Sequence, residues 1–483
     1  MASLTVNYDA AFYAEGTDIY RAWDNSIAEE HMRDLEHFVT NHISGRGPAK
    51  FVTGGINDGS YNRVIRFSFD SNGSDIALKF PKPGHTAAPL AQEKIANEAA
   101  WMQFVKEKTS IPVPHVYSYG TRPDNNLWPL NLPYILMDWV PGDNLRDFLA
   151  SALPDELRLY IYQQMASFYL ELYHLPLQGI GSVAKNEATG EWSVTKRPLT
   201  IDMHQFAIGI HDFPTDTWPT GPLRRSIDYF DFVSSQHAVQ LWSLRNLNAL
   251  RVEQKEDGPL ALSNDFGAIS KLARSRYKAR YGFAQLVNQF CVTDDNLGPF
   301  RVFNPDLDPR NILVNPETGK IAGFIDLEFT NAMPAQFSRD PPLWLFKVLP
   351  CQCLDNGYFP WFLQQYRPLL DQFLGAMERA EQQVEHQPGE TPLSIHMLNS
   401  WDTNRVWFNY AATHSDHVDA IYWTVLYKHH PGGVALELPN SLKVDMEKYV
   451  RHTKSQLKRY EDAWTERHQK KAEQRTYVSE EAE

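Results

Sequence analysis

The sequence predicts an α+β protein with two lobes, a small lobe built on an antiparallel sheet and a larger lobe that is mainly helical. Short strand-like segments concentrate between residues 49 and 140, with one helical pattern among them. From residue 141 onward helical patterns dominate, apart from one hairpin pattern over 312–325. The expected parts are an N-terminal helical extension (1–48), a small lobe (49–140), a large lobe (141–450) and a charged C-terminal helix (451–483).

Composition and charge narrow the class of protein. Apolar residues make up 43% and charged residues 22% of the 483 positions, which is typical of a globular chain and excludes wholesale disorder or a coiled-coil rod. The net charge of −13 shows no basic excess, so we expect no nucleic-acid partner. No apolar run approaches the roughly 20 residues that a membrane helix needs, so we expect no membrane partner.

The N-terminal segment bears on location. Residues 1–20 contain Asp9, Glu15 and Asp18 but no Lys or Arg, whereas targeting presequences carry positive charge. The three cysteines are too few for a disulfide framework, which suits a reducing compartment. We therefore expect a cytoplasmic protein. The sequence carries no signature of its oligomeric state.

In the small lobe, four apolar patterns predict strands and one predicts a helix. The segments 64–69 and 76–80 flank a turn at 70–74 and form a hairpin pattern. Residues 92–108 repeat apolar side chains at helical spacing, and prolines follow them. The other two strand patterns lie at 50–52 and 134–139.

A glycine-rich stretch, 54–60, follows the first strand pattern. Gly54, Gly55 and Gly59 lack a Cβ, so a backbone that carries them can approach phosphate groups closely. The same glycines suit a plain hairpin turn, and both interpretations stay open. The stretch is not a P-loop, because no Gly-Lys-Ser/Thr follows it.

The large lobe is less regular in the sequence. Residues 155–174 predict a long amphipathic helix, whereas the turns and helices over 184–260 cannot be put in order. Residues 312–325 hold two apolar segments around a Pro/Gly turn and predict a hairpin. The C-terminal segment 451–483 mixes both charges, so a solvated helix is favoured over a partner-binding arm. The N-terminal extension predicts short helices, for example over 24–42.

Three residues around the hairpin pattern at 312–325 form the most informative constellation. Asp306 precedes Asn311 by five positions, and the returning strand ends in Asp326. Phosphoryl transfer needs a carboxylate that orients and deprotonates the attacking hydroxyl, together with hard oxygen ligands for Mg²⁺ on the phosphates. The spacing predicts Asp306 as the catalytic base and Asn311 and Asp326 as metal ligands. Turn or capping roles are the structural alternatives for all three.

Upstream residues add to this constellation. Lys79 lies on a strand pattern that follows the glycine-rich stretch, and Glu98 lies on the next helix pattern. A strand lysine that is paired with a helix glutamate and directed at phosphates is the arrangement of kinases. The alternative is that both side chains are ordinary solvated charges. Met137 and Val140 lie where a hinge between two lobes would receive the base of a nucleotide.

The chain resembles the aminoglycoside phosphotransferase/choline kinase-like family, and most of all its fungal branch, over about residues 45–430. The resemblance implies a bilobal protein-kinase-like fold. It also implies that ATP or GTP, assisted by Mg²⁺, phosphorylates a hydroxyl of a small molecule. The acceptor itself is not identified. The matching segments are Asn97–Ala100, Ile111–Pro114, Gly179–Ser182, Asp306–Val314, Phe324–Phe329, Pro334–Phe337, Pro341–Leu345 and Arg405–Ala411.

Two departures from the family pattern motivate an alternative function. Asn304 stands where the family usually has a histidine two residues before the catalytic aspartate, and Pro305 stands where glycine is common. Leu327 replaces a frequent aromatic residue after Asp326. The alternative is a catalytically weak or inactive pseudokinase-like protein that keeps the fold and binds nucleotide or serves as a scaffold. A protein kinase proper is disfavoured, because the predicted metal-site motif at Asp326 is not Asp-Phe-Gly and no Ala-Pro-Glu segment follows it.

Two further pairs of residues carry metal-ligand chemistry. His414 and His417 stand three positions apart, and Cys351 and Cys353 two apart. A polar helix face is the favoured interpretation of the histidines, and buried structural thiols that of the cysteines, because no second pair completes a zinc spacing.

Overall fold

The structure is a computed structural model. It describes residues 9–27, 29–70, 73–120, 131–150, 153–246, 266–354, 357–385, 389–433 and 437–481. The start of the N-terminal segment (1–8), the middle of the turn expected at 70–74 and the end of the stretch 184–260 lie outside these residues.

The small lobe is a five-stranded antiparallel sheet covered by helices. Its elements are α1 (Ala10–Ser26), α2 (Glu29–His42), β1 (Ala49–Asp58), β2 (Asn62–Phe69), β3 (Ile76–Pro81), α3 (Ala91–Lys108), β4 (Val116–Gly120) and β5 (Tyr134–Asp138). The strands are ordered β1-β2-β3-β5-β4. Because successive side chains of a strand point to opposite faces, Leu78 on β3 joins the core that contains Phe38 of α2, and Ala77 joins the core that contains Ile95 of α3.

The large lobe combines many helices with three small sheets. The helices are α4 (Leu145–Ala150), α5 (Asp155–Tyr173), α6 (Ile201–Gly209), α7 (Ser226–Ser243), α8 (Phe266–Phe290), α9 (Ala335–Ser338), α10 (Pro350–Leu354), α11 (Phe359–Glu381), α12 (Leu393–Asp402), α13 (Arg405–Thr413), α14 (Val418–Thr424) and α15 (Asn440–Glu481). The strands are β6 (Asp143–Asn144), β7 (Ser182–Lys185), β8 (Trp192–Lys196), β9 (Arg301–Phe303), β10 (Ile312–Val314), β11 (Ile321–Phe324) and β12 (Asn331–Met333). They pair as β11-β10-β6, β12-β9 and β7-β8. The predicted two-lobed α+β class is confirmed.

The hairpin of β10 and β11 brings two loops together. Ile312 pairs with Phe324 in the antiparallel register, and Ile325 donates its backbone N–H to the carbonyl of Asn311 at 2.8 Å. The residues just before β10 and just after β11 therefore lie at the same end of the hairpin. The loop from Asp306 to Asn311 and the residue Asp326 meet there.

The glycine-rich stretch is organised differently from the prediction. Gly54 and Gly55 lie inside β1, at a shift of register between Phe51 and Ile56, and not in the turn. A Cβ on Gly55 would come within 2.9 Å of the Cβ of Arg66, so this glycine allows the close approach of β2. The turn between β1 and β2 follows Asp58, because a bulge absorbs the glycines before the hairpin ends.

The C-terminal helix also differs from its prediction. α15 begins at Asn440 and runs through the expected boundary at 450. Tyr460 and Trp464 are buried, and both belong to one cluster with Ala11 of α1. The helix is therefore packed along part of its length, because apolar side chains at helical spacing meet α1. None of the helices in the described part of the chain is long and apolar enough to cross a membrane.

Candidate active site

A cleft of about 930 Å³ is lined by residues of both lobes. The small lobe contributes residues of β2, β3 and the turn before β2, and the large lobe contributes the segments on either side of the β10–β11 hairpin. Among the sequence-predicted site residues, those that line the cleft are Gly59, Lys79, Met137, Val140, Asp306, Asn311 and Asp326. Gly54 and Gly55 are not among its lining residues.

Lys79 is held between two carboxylates. Its Nζ lies 2.8 Å from Oε1 of Glu98 and 3.0 Å from Oδ1 of Asp326. Burial alone would lower the pKa of Lys79, but the charges of Asp326 and Glu98 outweigh it and hold the pKa above its usual value. The ammonium therefore stays charged at the inner end of the cleft. Glu98 does not line the cleft, and it influences the cleft through its contact with Lys79.

Asp306 lies in the loop before β10. Asn311 donates its Nδ2 to the backbone carbonyl of Asp306 at 3.0 Å and to Oδ2 of its carboxylate at 3.1 Å. Arg310 places Nη2 3.7 Å from the other oxygen, Oδ1. Burial and the charge of Asp326 raise the pKa of Asp306 to about 7. The carboxylate can therefore exchange a proton near neutral pH.

Asn304 bridges the two loops that carry Asp306 and Asp326. Its Oδ1 accepts the backbone N–H of Asp306 at 2.8 Å, and its Nδ2 donates to the backbone carbonyl of Asp326 at 3.4 Å. The backbone of Asp326 has a φ of 68°, in the left-handed region that is strained for an aspartate. The residue that departs from the family's histidine thus makes contacts that set the loop geometry.

The oxygen atoms of Asn311 and Asp326 fit a hard divalent cation. The amide nitrogen of Asn311 is hydrogen-bonded to Asp306, so its amide oxygen stays available as a metal ligand. Asp326 has a carboxylate at the cleft surface. Such oxygen donors are the ligands that Mg²⁺ prefers. The carboxylates of Glu98, Asp326 and Glu328 also approach within 4.8 Å of one another. All three are paired with lysines, Glu98 and Asp326 with Lys79 and Glu328 with Lys94.

Apolar residues of both lobes line one part of the cleft. Ala77 and Met137, which pair across β3 and β5, lie on the small-lobe side. Leu313 and Phe324, from the β10–β11 hairpin, lie on the large-lobe side. Val140 follows the last strand of the sheet. Apolar side chains from both lobes suit an aromatic ring system.

Aromatic and acidic side chains line another part of the cleft. Tyr410 stacks on His414 at 4.1 Å between ring centroids, and His417 lies beyond them. Asp340 and Asp416 line the same region. Burial lowers the pKa of His414 to about 3, so this ring is neutral at physiological pH. The favoured interpretation of the two histidines as a polar helix face is wrong, because residues 415–417 form a 3-10 turn and both rings face the cleft.

Several residues of the site have no sequence signal of their own. Asn62 and Tyr61 line the cleft at the start of β2, yet the sequence favours the glycines before them. Lys94 is fully buried on α3, where a lysine ordinarily predicts solvent exposure. Glu328 lies in one of the segments that match the family, Phe324–Phe329, but its position in the sequence predicts no contact partner.

Together, two lobes, a buried Lys–Glu pair and an Asp/Asn/Asp constellation at one cleft are typical of a kinase-like phosphotransferase. The sequence profile described as "Phosphotransferase enzyme family" matches residues 53–337. The chain belongs to the phosphotransferase enzyme family. The resemblance inferred from the sequence motifs is confirmed.

Curated relatives from yeasts match part of the chain. "Altered inheritance of mitochondria protein 9, mitochondrial" from Debaryomyces hansenii is 24% identical over 341 residues, covering 64% of this chain and 52% of that protein. The protein of the same name from Saccharomyces cerevisiae (strain RM11-1a) is 26% identical, covering 59% of this chain and 49% of that protein. The chain thus spans about half the length of the curated relatives it matches.

The expectation of a cytoplasmic location is wrong, since these relatives are named mitochondrial proteins. It relied on the acidic character of the first twenty residues. In the structure, Ala10–Ser26 is a helix, and Ala11 is buried with residues of α15. Asp9 and Asp18 form ion pairs with Arg245 and Arg467, so the acidic charge of this segment takes part in its packing.

Alignments with solved structures extend over most of the chain. The GDP complex of wild-type aminoglycoside 2'-phosphotransferase-IIIa is 12% identical with a TM-score of 0.37, covering 88% of this chain and 98% of that one. An ethanolamine kinase from Plasmodium vivax is 11% identical with a TM-score of 0.33, covering 87% of this chain and 83% of that one.

Proposed function

We propose that this protein transfers the terminal phosphoryl group of ATP or GTP to a hydroxyl of a small molecule, with Mg²⁺ as the metal. One observation carries the proposal: Lys79, Asp306 and Asp326 converge in a single cleft. Asn311 and Arg310 lie beside them. Family membership supports the same class of reaction.

The cleft offers separate places for the parts of a nucleotide. The apolar part of the cleft by Met137 and Val140 suits the base, and the turn from Asp58 to Asn62 lines the cleft as well. Lys79 supplies a fixed positive charge for phosphate oxygens, and its two carboxylate contacts hold it in place. The charge and its orientation therefore exist before any nucleotide binds.

Asn311 and Asp326 would hold the metal ion. When bound, Mg²⁺ neutralises phosphate charge and orients the transferred group. Asp326 also contacts Lys79, so the same carboxylate links the metal region to the phosphate region. Asn304 keeps the backbone of Asp326 in register with the loop of Asp306.

Asp306 accepts the proton of the attacking hydroxyl. A pKa near 7 leaves a large fraction of this side chain ionised at neutral pH while it still binds a proton readily. Asn311 orients the carboxylate through Oδ2, and Arg310 lies near Oδ1. The acceptor hydroxyl would then lie between Asp306 and the transferred phosphoryl group.

The acceptor end supports a small polar molecule. The stacked rings of Tyr410 and His414 offer a flat surface, and Asp340 and Asp416 offer acceptor oxygens. Carboxylates in this region favour an acceptor with amino or hydroxyl groups. The names of the yeast relatives support a mitochondrial setting, which imaging of a tagged chain would test.

The first experiment is thermal unfolding of the purified chain in Mg²⁺ alone and in Mg²⁺ with ATP or GTP. Nucleotide at about 100 times its Kd adds about 2.7 kcal/mol to the free energy of unfolding, which raises Tm visibly. Asp306→Ala is expected to keep this shift and to lose transfer to any hydroxyl acceptor. Asp371→Asn, which removes an exposed ion pair on α11, is the matched control and should change neither.

The outcomes separate the two candidate functions. A Mg²⁺-dependent shift together with Asp306-dependent nucleotide consumption supports the phosphotransferase. A shift without consumption supports the pseudokinase-like alternative. The absence of any shift with either nucleotide would contradict the phosphotransferase and favour a scaffold role, and activity that survives Asp306→Ala would show that another group is the base.

A further inference from the structure

A second buried ion pair lies beneath the turn between β1 and β2. Lys94 is one helical turn before Glu98 on α3, and its Nζ lies 3.2 Å from Oε2 of Glu328. The two side chains are 1% and 4% exposed. This pair is separate from the contact of Lys79 with Glu98, and neither Lys94 nor Glu328 is among the residues that line the cleft.

Glu328 also holds the turn itself. Asn62 donates its Nδ2 to the same oxygen, Oε2 of Glu328, at 2.9 Å, in a buried hydrogen bond. Asn62 is the first residue of β2, and its backbone carbonyl accepts the N–H of Gly59 across the turn. The side chain of Glu328 therefore joins the tip of the small-lobe hairpin to the segment that follows Asp326.

Lys94 and Glu328 make further polar and aromatic contacts in their buried surroundings. Lys94 places Nζ 3.4 Å from Nε2 of His204 on α6 and 5.0 Å from the ring centroid of Tyr61. Burial lowers the pKa of Lys94 and that of His204. The backbone carbonyl of Glu328 accepts from Asn97 at 2.8 Å, so both ends of this residue are held by α3.

Hydrophobic side chains of similar volume could fill such a space with equal or greater stability, because desolvation offsets much of the attraction in a buried ion pair. The directional hydrogen bond from Asn62 to Glu328 fixes the position of the turn relative to the cleft, which apolar packing does not do. Gly59, Tyr61 and Asn62 all line the cleft on that turn. The position of the turn decides how closely its backbone approaches a phosphate.

We propose that Asn62, Lys94 and Glu328 form an interlobe latch that positions the β1–β2 turn over the phosphates of the bound nucleotide. The latch rests on the proposed function, since it serves the same site. All three are positioning residues, because none of them is required to touch the reacting atoms. Lys94 holds the charge of Glu328 in place, and Glu328 holds Asn62.

The test uses the full chain with Asn62→Ala, Glu328→Gln and the double substitution. Asn62→Ala is expected to weaken Mg²⁺-nucleotide binding by about tenfold, and Glu328→Gln by less, because its amide oxygen still accepts from Asn62. The double variant should bind no more weakly than Asn62→Ala, since both changes act on one interaction. At saturating nucleotide the transfer rate should stay within a few-fold of the parent, so the change lies in KM. Asp70→Asn, which removes the exposed pair with Lys50 at the base of the same hairpin, is the control and should leave binding unchanged.

A reciprocal exchange provides a rescue that a purely structural role does not predict. Asn62→Asp alone places a carboxylate against Glu328 and should weaken nucleotide binding more than Asn62→Ala. Adding Glu328→Gln restores one carboxylate and one amide with their positions exchanged, still beside Lys94, and should recover binding to within a few-fold of the parent. Failure of this recovery, with both single variants folded, would contradict the latch.

Amide hydrogen exchange separates the latch from the proposed function. Without nucleotide, residues 57–64 should exchange faster in Asn62→Ala and Glu328→Gln than in the parent, whereas Asp70→Asn should not change them. If the parent chain binds no nucleotide, the proposed function fails, and faster exchange in these variants still supports the latch. Unchanged exchange, with Tm lowered in both variants, would show that the pair only stabilises the fold.

Discussion

Lys79 and Asp326 are 247 positions apart in the sequence, and their side chains meet at 3.0 Å between Nζ and Oδ1. The contact joins β3 of the small lobe to the segment after β11 in the large lobe. Glu98 shares the same ammonium at 2.8 Å. The charge that would bind phosphate is therefore oriented by both lobes at once, and a change at any of the three residues affects the other two.

Lys79→Met should abolish detectable transfer and also lower Tm, because it leaves Glu98 buried without its cation. Breaking a buried pair in this way costs about 3–5 kcal/mol. Adding Glu98→Gln removes the uncompensated charge, so the double variant should regain most of the lost stability and none of the activity. Tm and transfer rate measured on both variants check this, and a double variant with activity would contradict the role of Lys79.

The pH dependence should report on Asp306. Its pKa of about 7 means that the rate at saturating nucleotide rises as the pH increases from about 6 to 8, because only the carboxylate accepts a proton. Arg310→Gln removes a cation 3.7 Å from Oδ1 and so raises the pKa of Asp306 further. The acidic limb of the pH–rate profile should therefore move to higher pH. A limb that stays in place or moves to lower pH in Arg310→Gln would contradict the assignment. Asp371→Asn should keep the parent profile.

Asn304→Ala should lower the transfer rate by about 10–100-fold while the nucleotide-induced rise in Tm persists. It removes the two hydrogen bonds that align Asp306 with Asp326, and small displacements of a reacting group cost rate steeply. Asn186→Ala, in the exposed β7–β8 turn, removes a comparable side-chain cap away from the cleft and is the control. Full activity in Asn304→Ala would show that the bridge has no part in catalysis.

Asp202→Asn should stabilise the protein, and more so at higher pH. Burial, followed by the charge of Asp416, raises the pKa of Asp202 to about 8 from an ordinary value of 3.8. The folded state therefore binds more protons than the unfolded state between these values, so the stability of the parent falls as pH rises from about 4 to 8.

The amide carries no charge at any of these pH values, so the gain in Tm over the parent should grow to about 2 °C or more by pH 8 and level off above it. Its oxygen can still accept from Ser415, as Asp202 does at 3.1 Å from Oγ. Thermal scans from pH 5 to 9 measure the difference. A gain that is constant across this range would contradict the raised pKa, and Asp371→Asn should show no such trend.

The sequence alone predicts much of the site because the relevant patterns are local. The alternation around Lys79 indicates a strand, the spacing around Glu98 indicates a helix, and the five-residue step from Asp306 to Asn311 precedes a hairpin that returns Asp326. Each depends only on the few neighbouring residues that set a period of 2 or 3.6. The two-lobed α+β class and the family follow from the same local patterns.

The tertiary structure decides what depends on contacts between distant residues. Gly54 and Gly55 lie in a bulge because β1 must keep register with β2, and this register is set by pairing across strands rather than by the glycines. In the sequence, Asn304 is a departure from the family pattern. In the folded chain, it bridges the loops of Asp306 and Asp326 by hydrogen bonds. Lys94 is ordinary in a helix pattern and becomes half of an ion pair only because the folded chain brings Glu328, 234 positions later, into the same buried space. Burial and long-range pairing arise from the whole fold, so periodicity along the chain determines the elements, and their packing determines which side chains act together.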